Sequence, residues 1–168
     1  MTHRIATLLS QKKSHIAIIA ILAAGLIGGL AEVVWVAAYS AFTSADASVV
    51  AREIVYSLFP FAGATATAAN GLAIHLVLSI LLAAVFGLVL WRPLLRGMGL
   101  AMNLIFACTA LALVWVVNFG LVLPVMNPVF VDLLPYAVTF VSKLLFGAAM
   151  GFTLYRLAGR TVVRHSLG

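Results

Sequence analysis

Glu32, His75, Asn118 and Lys143 each stand inside a long apolar stretch. A carboxylate, an imidazole, an amide and an ammonium at such positions could relay a proton or hold an ion. A charge in a hydrocarbon core costs at least ~2.5–3.5 kcal/mol, so these groups must face protein or water and are the natural candidates for a functional site. The plainer reading is that Glu32 and Lys143 neutralise one another and fix the register of two helices, while His75 is a hydrogen-bonded packing residue. A proton or ion pathway through Glu32, His75 and Lys143 is the sharper alternative.

Other chemistry finds little support. The sequence has no HExxH, no phosphate loop, no paired carboxylates and no Ser–His–Asp set, which argues against an enzyme. The single cysteine, Cys108, permits neither an intramolecular disulfide nor a CxxC metal site and reads as a small packing residue. A b-type haem needs axial ligands. Only His75 lies within an apolar stretch, with His15 at a boundary and His3 and His165 in the tails, so neither a metal nor another cofactor is expected.

The elements that carry these residues follow from composition. The 168 residues are 65% hydrophobic and 8% charged, against roughly 25% charged for a soluble domain. A soluble chain of this length could not hide that much apolar surface, so lipid is expected as a solvent and partner. A helix crossing a bilayer core of ~30 Å needs ~20 apolar residues. Four stretches qualify: Ile16 to Phe42, Gly71 to Trp91, Leu100 to Leu121 and Tyr136 to Tyr155. None alternates with a period of two, which rejects a β-barrel. The expected fold is an all-α membrane protein, a single domain over 1–168 with four transmembrane helices. The first apolar run exceeds a signal-peptide core, and no small-residue cleavage site follows it, so it reads as an uncleaved helix.

Basic residues set the orientation. Arg4, Lys12, Lys13, Arg92, Arg96, Arg156, Arg160 and Arg164 fall on one side of the spans, and Arg52 alone falls on the other. The positive-inside rule then places both termini on the cytoplasmic side of the membrane. The same distribution leaves no basic face for nucleic acid, despite the net charge of +6. All four polar candidates lie in the outer half of their spans, although successive helices run in opposite directions.

The outer loops contain short helices of their own. Ser44 and Asp46 are the two candidates for an N-cap, and Val49, Val50, Ile54 and Leu58 recur at helical spacing before Pro60. In the second loop, Asn127-Pro128 reads as an N-cap with proline in the first turn, and Pro135 opens the last span. The stretch Val33-Val-Trp-Val-Ala-Ala-Tyr-Ser40 resembles Leu113-Val-Trp-Val-Val-Asn-Phe-Gly120, and Gly87-Leu-Val-Leu-Trp-Arg92 resembles Gly151-Phe-Thr-Leu-Tyr-Arg156. These matches suggest two helix–loop–helix pseudo-repeats about an axis along the membrane normal.

Two GxxxG patterns complete the framework: Gly25 with Gly29 in the first span, and Gly147 with Gly151 in the fourth. Such pairs let helix backbones approach closely. Glu32 lies three residues beyond Gly29 and Lys143 four before Gly147, so each charge shares the face of a glycine pair. Spans one and four are therefore expected to pack antiparallel through these glycines, which would bring Glu32 to Lys143.

The Gly25-Leu-Ile-Gly-Gly29 helix, a second helix opening with Ile74-His75, and a proline-bearing loop leading to Lys143-Leu-Leu-Phe-Gly147 resemble small four-helix bacterial inner-membrane proteins of the YagU-like kind. Those proteins tend to carry histidine near the start of the last helix, where this chain has Lys143, so no functional residue is carried over. The sequence thus points to a non-catalytic membrane component that contacts other membrane subunits, in a homo-oligomer or a larger complex. A small oligomeric transporter or channel with an outward-facing polar vestibule is the alternative.

Overall fold

The computed structural model describes the backbone of residues 2–95 and 97–159, and the side chains of residues 17–95 and 97–157. His3, Arg4, Lys12, Lys13, His15, Arg96, Arg160, Arg164 and His165, on which part of the charge argument rests, lie outside the described side chains. The described residues form helices and turns without a strand. Four helices are long and apolar enough to cross a membrane: Ala17–Ala41, Ala68–Leu95, Leu100–Met126 and Tyr136–Leu157.

The first of these lies within α1 (Thr2–Ala41). Asp46 accepts from the backbone N–H groups of Ser48 and Val49 and so starts α2 (Ala47–Leu58). Hydrogen bonding from Ser48 holds the Asp46 carboxyl below its ordinary pKa. This cap's contribution is therefore present above the ordinary carboxylate value and lost as pH falls through the lowered one. Thr67 caps α3 (Ala68–Val85), which continues over Phe86–Leu95 in the wider i→i+5 winding. That continuation carries the second span past Trp91, where the apolar pattern alone ends it. After a short turn come α4 (Leu100–Val117) and a second wide segment (Asn118–Val122), followed by the short helices α5 (Leu123–Met126) and α6 (Pro128–Asp132). The last span is α7 (Tyr136–Leu154), also extended by a wide turn over Tyr155–Gly159.

The spans pack in the order α3, α1, α7, α4. Of the most apolar stretch of each, 44% of α1 and 50% of α7 is buried within the bundle, against 22% for α3 and 17% for α4. α1 and α7 are thus the central pair, and the flanking helices turn large apolar side chains such as Val77, Leu81, Leu113 and Val116 outward. One end of the bundle carries the two long connections with α2, α5 and α6 (the loop end). The other carries the α3–α4 connection (the turn end).

At the turn end all four spans contribute to one apolar core, in which Trp91, Leu95, Leu111, Phe146, Met150 and Leu154 are almost fully buried. Asn103 sits among them. Its Oδ1 accepts from Trp91 Nε1 at 2.8 Å, and its Nδ2 donates towards the carbonyls of Met98 at 3.1 Å and Gly99 at 3.0 Å. Nδ2 also lies 3.4 Å from the Leu95 carbonyl, so the amide ties α4 to the end of the second span and to the turn that follows it.

The glycine pairs do not face one another as the sequence suggested. A Cβ on Gly25 would stand 2.6 Å from the Ile80 backbone, and one on Gly29 would stand 2.6 Å from Ser79 Oγ, so this pair seats α3. Gly147 and Gly151 lie instead against Ala107, Cys108 and Asn103 and seat α4. Each central helix has two neighbours, and its small residues are used on the side of its flanking helix. The α1–α7 contact is made by Gly28, which receives the ring of Phe146 at 2.9 Å from where its Cβ would be. The closest approach of all is at Gly71, where a Cβ would fall 1.7 Å from the Ala51 carbonyl oxygen as α2 lies across the start of α3.

These contacts predict an order of sensitivity. Gly71→Ala and Gly25→Ala, which set a methyl against backbone, each lower the unfolding stability in detergent by roughly 1–3 kcal/mol. Gly120→Ala, with open space around it, is neutral or gains up to about 1 kcal/mol from helix propensity. Thermal unfolding followed by circular dichroism ranks the three, and equal losses at Gly71 and Gly120 would contradict the packing.

Candidate functional site

Glu32 belongs to α1, two turns on from Gly25, and is 4% exposed although it carries a charge. Its position towards α7 follows from Gly28, which lets the two helices close up one turn earlier. Lys143 Nζ lies 2.8 Å from both carboxylate oxygens of Glu32. The ammonium also sits 5.9 Å from the centroid of the Phe146 ring, which adds a cation–π attraction. Next to it on α7, the Ser142 hydroxyl lies 3.0 Å from Glu32 Oε1 and 2.8 Å from the Thr139 carbonyl oxygen. A hydroxyl has one proton, so Ser142 divides it between a carboxylate and a backbone carbonyl.

The third member comes from α3. His75 Nε2 is 3.2 Å from the Gly29 carbonyl oxygen and 3.8 Å from Glu32 Oε2. The first distance is a hydrogen bond and the second is beyond one. A carbonyl oxygen only accepts, so in this geometry the hydrogen is on Nε2. The imidazole is thus held by α1's backbone, one turn before the carboxylate. Ser79, one turn along α3, donates to the His75 carbonyl and packs on Gly29, which fixes α3 in this register.

The structure brings Glu32, His75 and Lys143 together, with Ser142 as a fourth polar partner. It does not join Asn118 to them. Asn118 is half-buried at the start of the wide segment of α4, on the face of Leu111, and makes no side-chain hydrogen bond among the described residues. The reason is the packing order: α4 packs mainly on α7, on the side of Gly147 and Gly151, and meets the second span at its Phe86–Leu95 end, away from Glu32 and His75. The asparagine that is buried and bonded is Asn103 at the turn end, which the sequence reading passed over. Its signal was available: an amide in the first turn of a span, four residues after Gly99, faces the open carbonyls of the helix before it.

Three further polar ties went unread in the sequence. Trp35 Nε1 donates to the Val138 carbonyl at 3.0 Å, and Trp115 Nε1 donates to Thr139 Oγ1 at 3.0 Å, so both neighbours of α7 are pinned to adjacent positions on it. Trp115 also stacks on Phe119 and meets Tyr136 and Phe140 edge-on. Between the two long connections, the buried Asn127 gives its Nδ2 to the Glu53 carbonyl, the Glu53 carboxylate and Ser57 Oγ at 3.2, 2.9 and 3.1 Å. It caps α6 as well, accepting from Phe130 N–H.

Among the described residues no group of three His, Cys, Asp or Glu side chains is placed to hold a metal ion. Cys108 is half-buried, with its thiol 3.6 Å from the Leu144 carbonyl at the α4–α7 contact. A cavity of about 700 Å³ opens at the loop end between α2 and α3, lined by Val55, Leu58, Phe59, Phe61, Asn70 and Ile74 among others. It is apolar, and none of the charged cluster lines it. Comparison of the chain with protein-family models, curated proteins and solved structures gives no match, so the site is read from its own geometry.

Removing one member of a buried pair strands the other. Glu32→Gln and Lys143→Met should each lower stability by ~3–5 kcal/mol, and the double substitution should recover more than half of the summed loss. Reversible unfolding in mixed micelles measures the cycle, and additive losses would show that the pair is not coupled. Asn103→Ala should cost ~1–3 kcal/mol by leaving Trp91 N–H and turn carbonyls unbonded, while Asn118→Ala should stay within about 0.5 kcal/mol.

Proposed function

We propose that this chain is a non-catalytic multi-pass protein of the inner membrane, an accessory or assembly component that contacts other membrane subunits. The observation that carries this reading is the state of Glu32. Its carboxylate is buried at the α1–α7 contact and is already satisfied by Lys143 and Ser142 of a single neighbouring helix. A group so committed holds helices together and is poorly placed to attack or deprotonate a substrate. The flanking helices α3 and α4 offer broad apolar faces to lipid or to further subunits.

The orientation we propose has the turn end and both termini in the cytoplasm, because eight basic residues lie towards that end and Arg52 alone lies at the other. The reading as two helix–loop–helix halves draws support from the matched Gly87–Arg92 and Gly151–Arg156 stretches, which both reach into wide helical turns at the same end of the bundle. The matched Trp35 and Trp115 both end on α7. A strict two-fold would also pack α3 against α4 as α1 packs against α7, and the observed order departs from that.

One observation favours a second reading, a small oligomeric transporter with a polar vestibule. The side chains of Lys143 and His75 retain 17% and 18% exposure although they lie within span-length helices. Native mass spectrometry of the protein in mild detergent separates the two. A ring of identical subunits, with Glu32 reached by water, supports transport, and a defined hetero-complex supports the accessory role. For the topology, single cysteines are placed in a Cys108→Ala background. Arg92→Cys and Arg156→Cys should be protected from an impermeant thiol reagent applied to intact cells, and Asp132→Cys should react. Labelling of Arg92→Cys from outside would overturn the orientation.

A further inference from the structure

The role proposed for Glu32 and Lys143 leaves His75 without one. Its Nε2 faces two acceptors at once, the Gly29 carbonyl at 3.2 Å and the Glu32 carboxylate at 3.8 Å. With the Nε2 hydrogen given to Gly29, the other ring nitrogen, Nδ1, is the atom that can take up a proton. Among the described residues the charged groups around it can be named. α1 supplies Glu32 and α7 supplies Lys143. α2, packed on the start of α3, carries Arg52, which is exposed, and Glu53, which is engaged by Asn127. Arg92 lies at the far end of the same span.

We infer that Glu32, His75 and Lys143 form a proton-binding site whose occupancy decides which neighbouring helix holds the Glu32 carboxylate. The inference rests on the reading of Glu32 as a helix-to-helix tie. In the deprotonated state Glu32 is bound to Lys143, and α1 is held to α7. A proton from water forms an N–H bond at Nδ1, and nothing is oxidised or reduced. The ring is then a cation 3.8 Å from Oε2, and one carboxylate faces two cations in a poorly polarisable interior. A shift of under about 1 Å moves the single Nε2 hydrogen from the Gly29 carbonyl to Oε2, replacing a neutral hydrogen bond to α1 with a charge-assisted one. A gain of Glu32 towards α3 weakens its bond to Lys143, because the imidazolium draws on Oε2, one of the two oxygens that Lys143 holds. The proton therefore moves the hold on α1 from α7 towards α3.

The molecule contains its own reporter. Trp35 lies three residues beyond Glu32 on α1, and its indole donates to the Val138 carbonyl of α7, across the contact that should loosen. Trp91, in the apolar core at the turn end, is an internal control. The experiment is a pH titration from 5 to 8 of the full chain in lipid nanodiscs. The three tryptophans are labelled with 5-fluorotryptophan for ¹⁹F resonance, and a second sample carries ¹⁵N-histidine.

The Trp35 resonance should pass from about 10% to about 90% of its total shift over roughly two pH units, as a one-proton step of histidine requires. The His75 nitrogens should titrate with the same midpoint, Trp91 should stay still, and His75→Gln should leave Trp35 flat. A Trp35 resonance that is flat in the unmodified protein, or that still titrates in His75→Gln, overturns the inference. If His75→Gln does not fold, the midpoints of His75 and Trp35 in the unmodified protein decide, and a mismatch overturns it equally. Failure of the helix-to-helix tie itself would appear separately, as additive losses for Glu32→Gln and Lys143→Met at a single pH.

Discussion

The constraint on which the bundle turns is the cost of an uncompensated carboxylate at Glu32. In a medium of low polarisability an isolated charge is penalised by several kcal/mol, and its attraction to an opposite charge is correspondingly strong. Glu32 is 4% exposed, so the compensation has to come from protein. Lys143 supplies charge, Ser142 a hydroxyl and Gly28 the room for α7 to approach. Each requirement restricts α7 in a different way: its height, its rotation and its distance from α1. The pair contributes less to net stability than to choosing this arrangement over others, since an apolar pair of the same volume would pack as well. What it excludes is any sliding of α1 along α7, because a slip of one turn would separate the charges by about 5 Å.

Glycine sets the distances that the charges require. Had Gly25 and Gly29 faced Gly147 and Gly151, the two central backbones would have met directly and left no space for the ring of Phe146. The structure uses each pair on the outer side of its helix instead, against Ser79 and Ile80 of α3 and against Ala107 and Cys108 of α4. The central pair is thereby spaced by one aromatic ring and its flanks are close-packed. That spacing is what gives the long Lys143 side chain space to reach Glu32.

Much of this could be read in the sequence, and what could not has a common cause. The four spans follow from apolar length, the caps at Asp46 and Asn127 from local hydrogen-bonding chemistry, and the start of the last span at Pro135 from the fixed proline backbone, because each depends on near neighbours only. Glu32 and Lys143 were legible together because a lone charge in an apolar run demands a partner, and only one of opposite sign lay at matching depth. The partners of the glycines were not legible: a GxxxG face specifies a close neighbour without naming it, and each central helix has two. Asn118 and Asn103 were indistinguishable by type. The packing order decides between them, since it leaves Asn118 without a bonded partner among the described residues and sets Asn103 against Trp91 and the turn. The ties of Trp35 and Trp115 to α7 escaped notice because tryptophan near a span end already has an explanation as an interfacial residue.

The two ends of the bundle are held by different physics, and this bears on how it could move. At the turn end Phe86, Trp91, Leu95, Leu111, Met150 and Leu154 close the axis by apolar packing, with the amide of Asn103 sealed among them. Towards the loop end the helices are joined by polar contacts, Glu32 to Lys143 and Ser142, His75 to Gly29, Trp35 to Val138 and Trp115 to Thr139. Apolar packing does not depend on protonation and resists displacement in every direction, because interiors are close-packed. Polar contacts are directional and exchange partners when a charge changes. Any rearrangement triggered by a proton must then begin in the loop half and pivot on the turn half. The contact best able to give is that of α1 with α7, held in this half by Glu32 to Lys143 and Trp35 to Val138, because α3 is close-packed on the glycines of α1 and under α2 at Gly71.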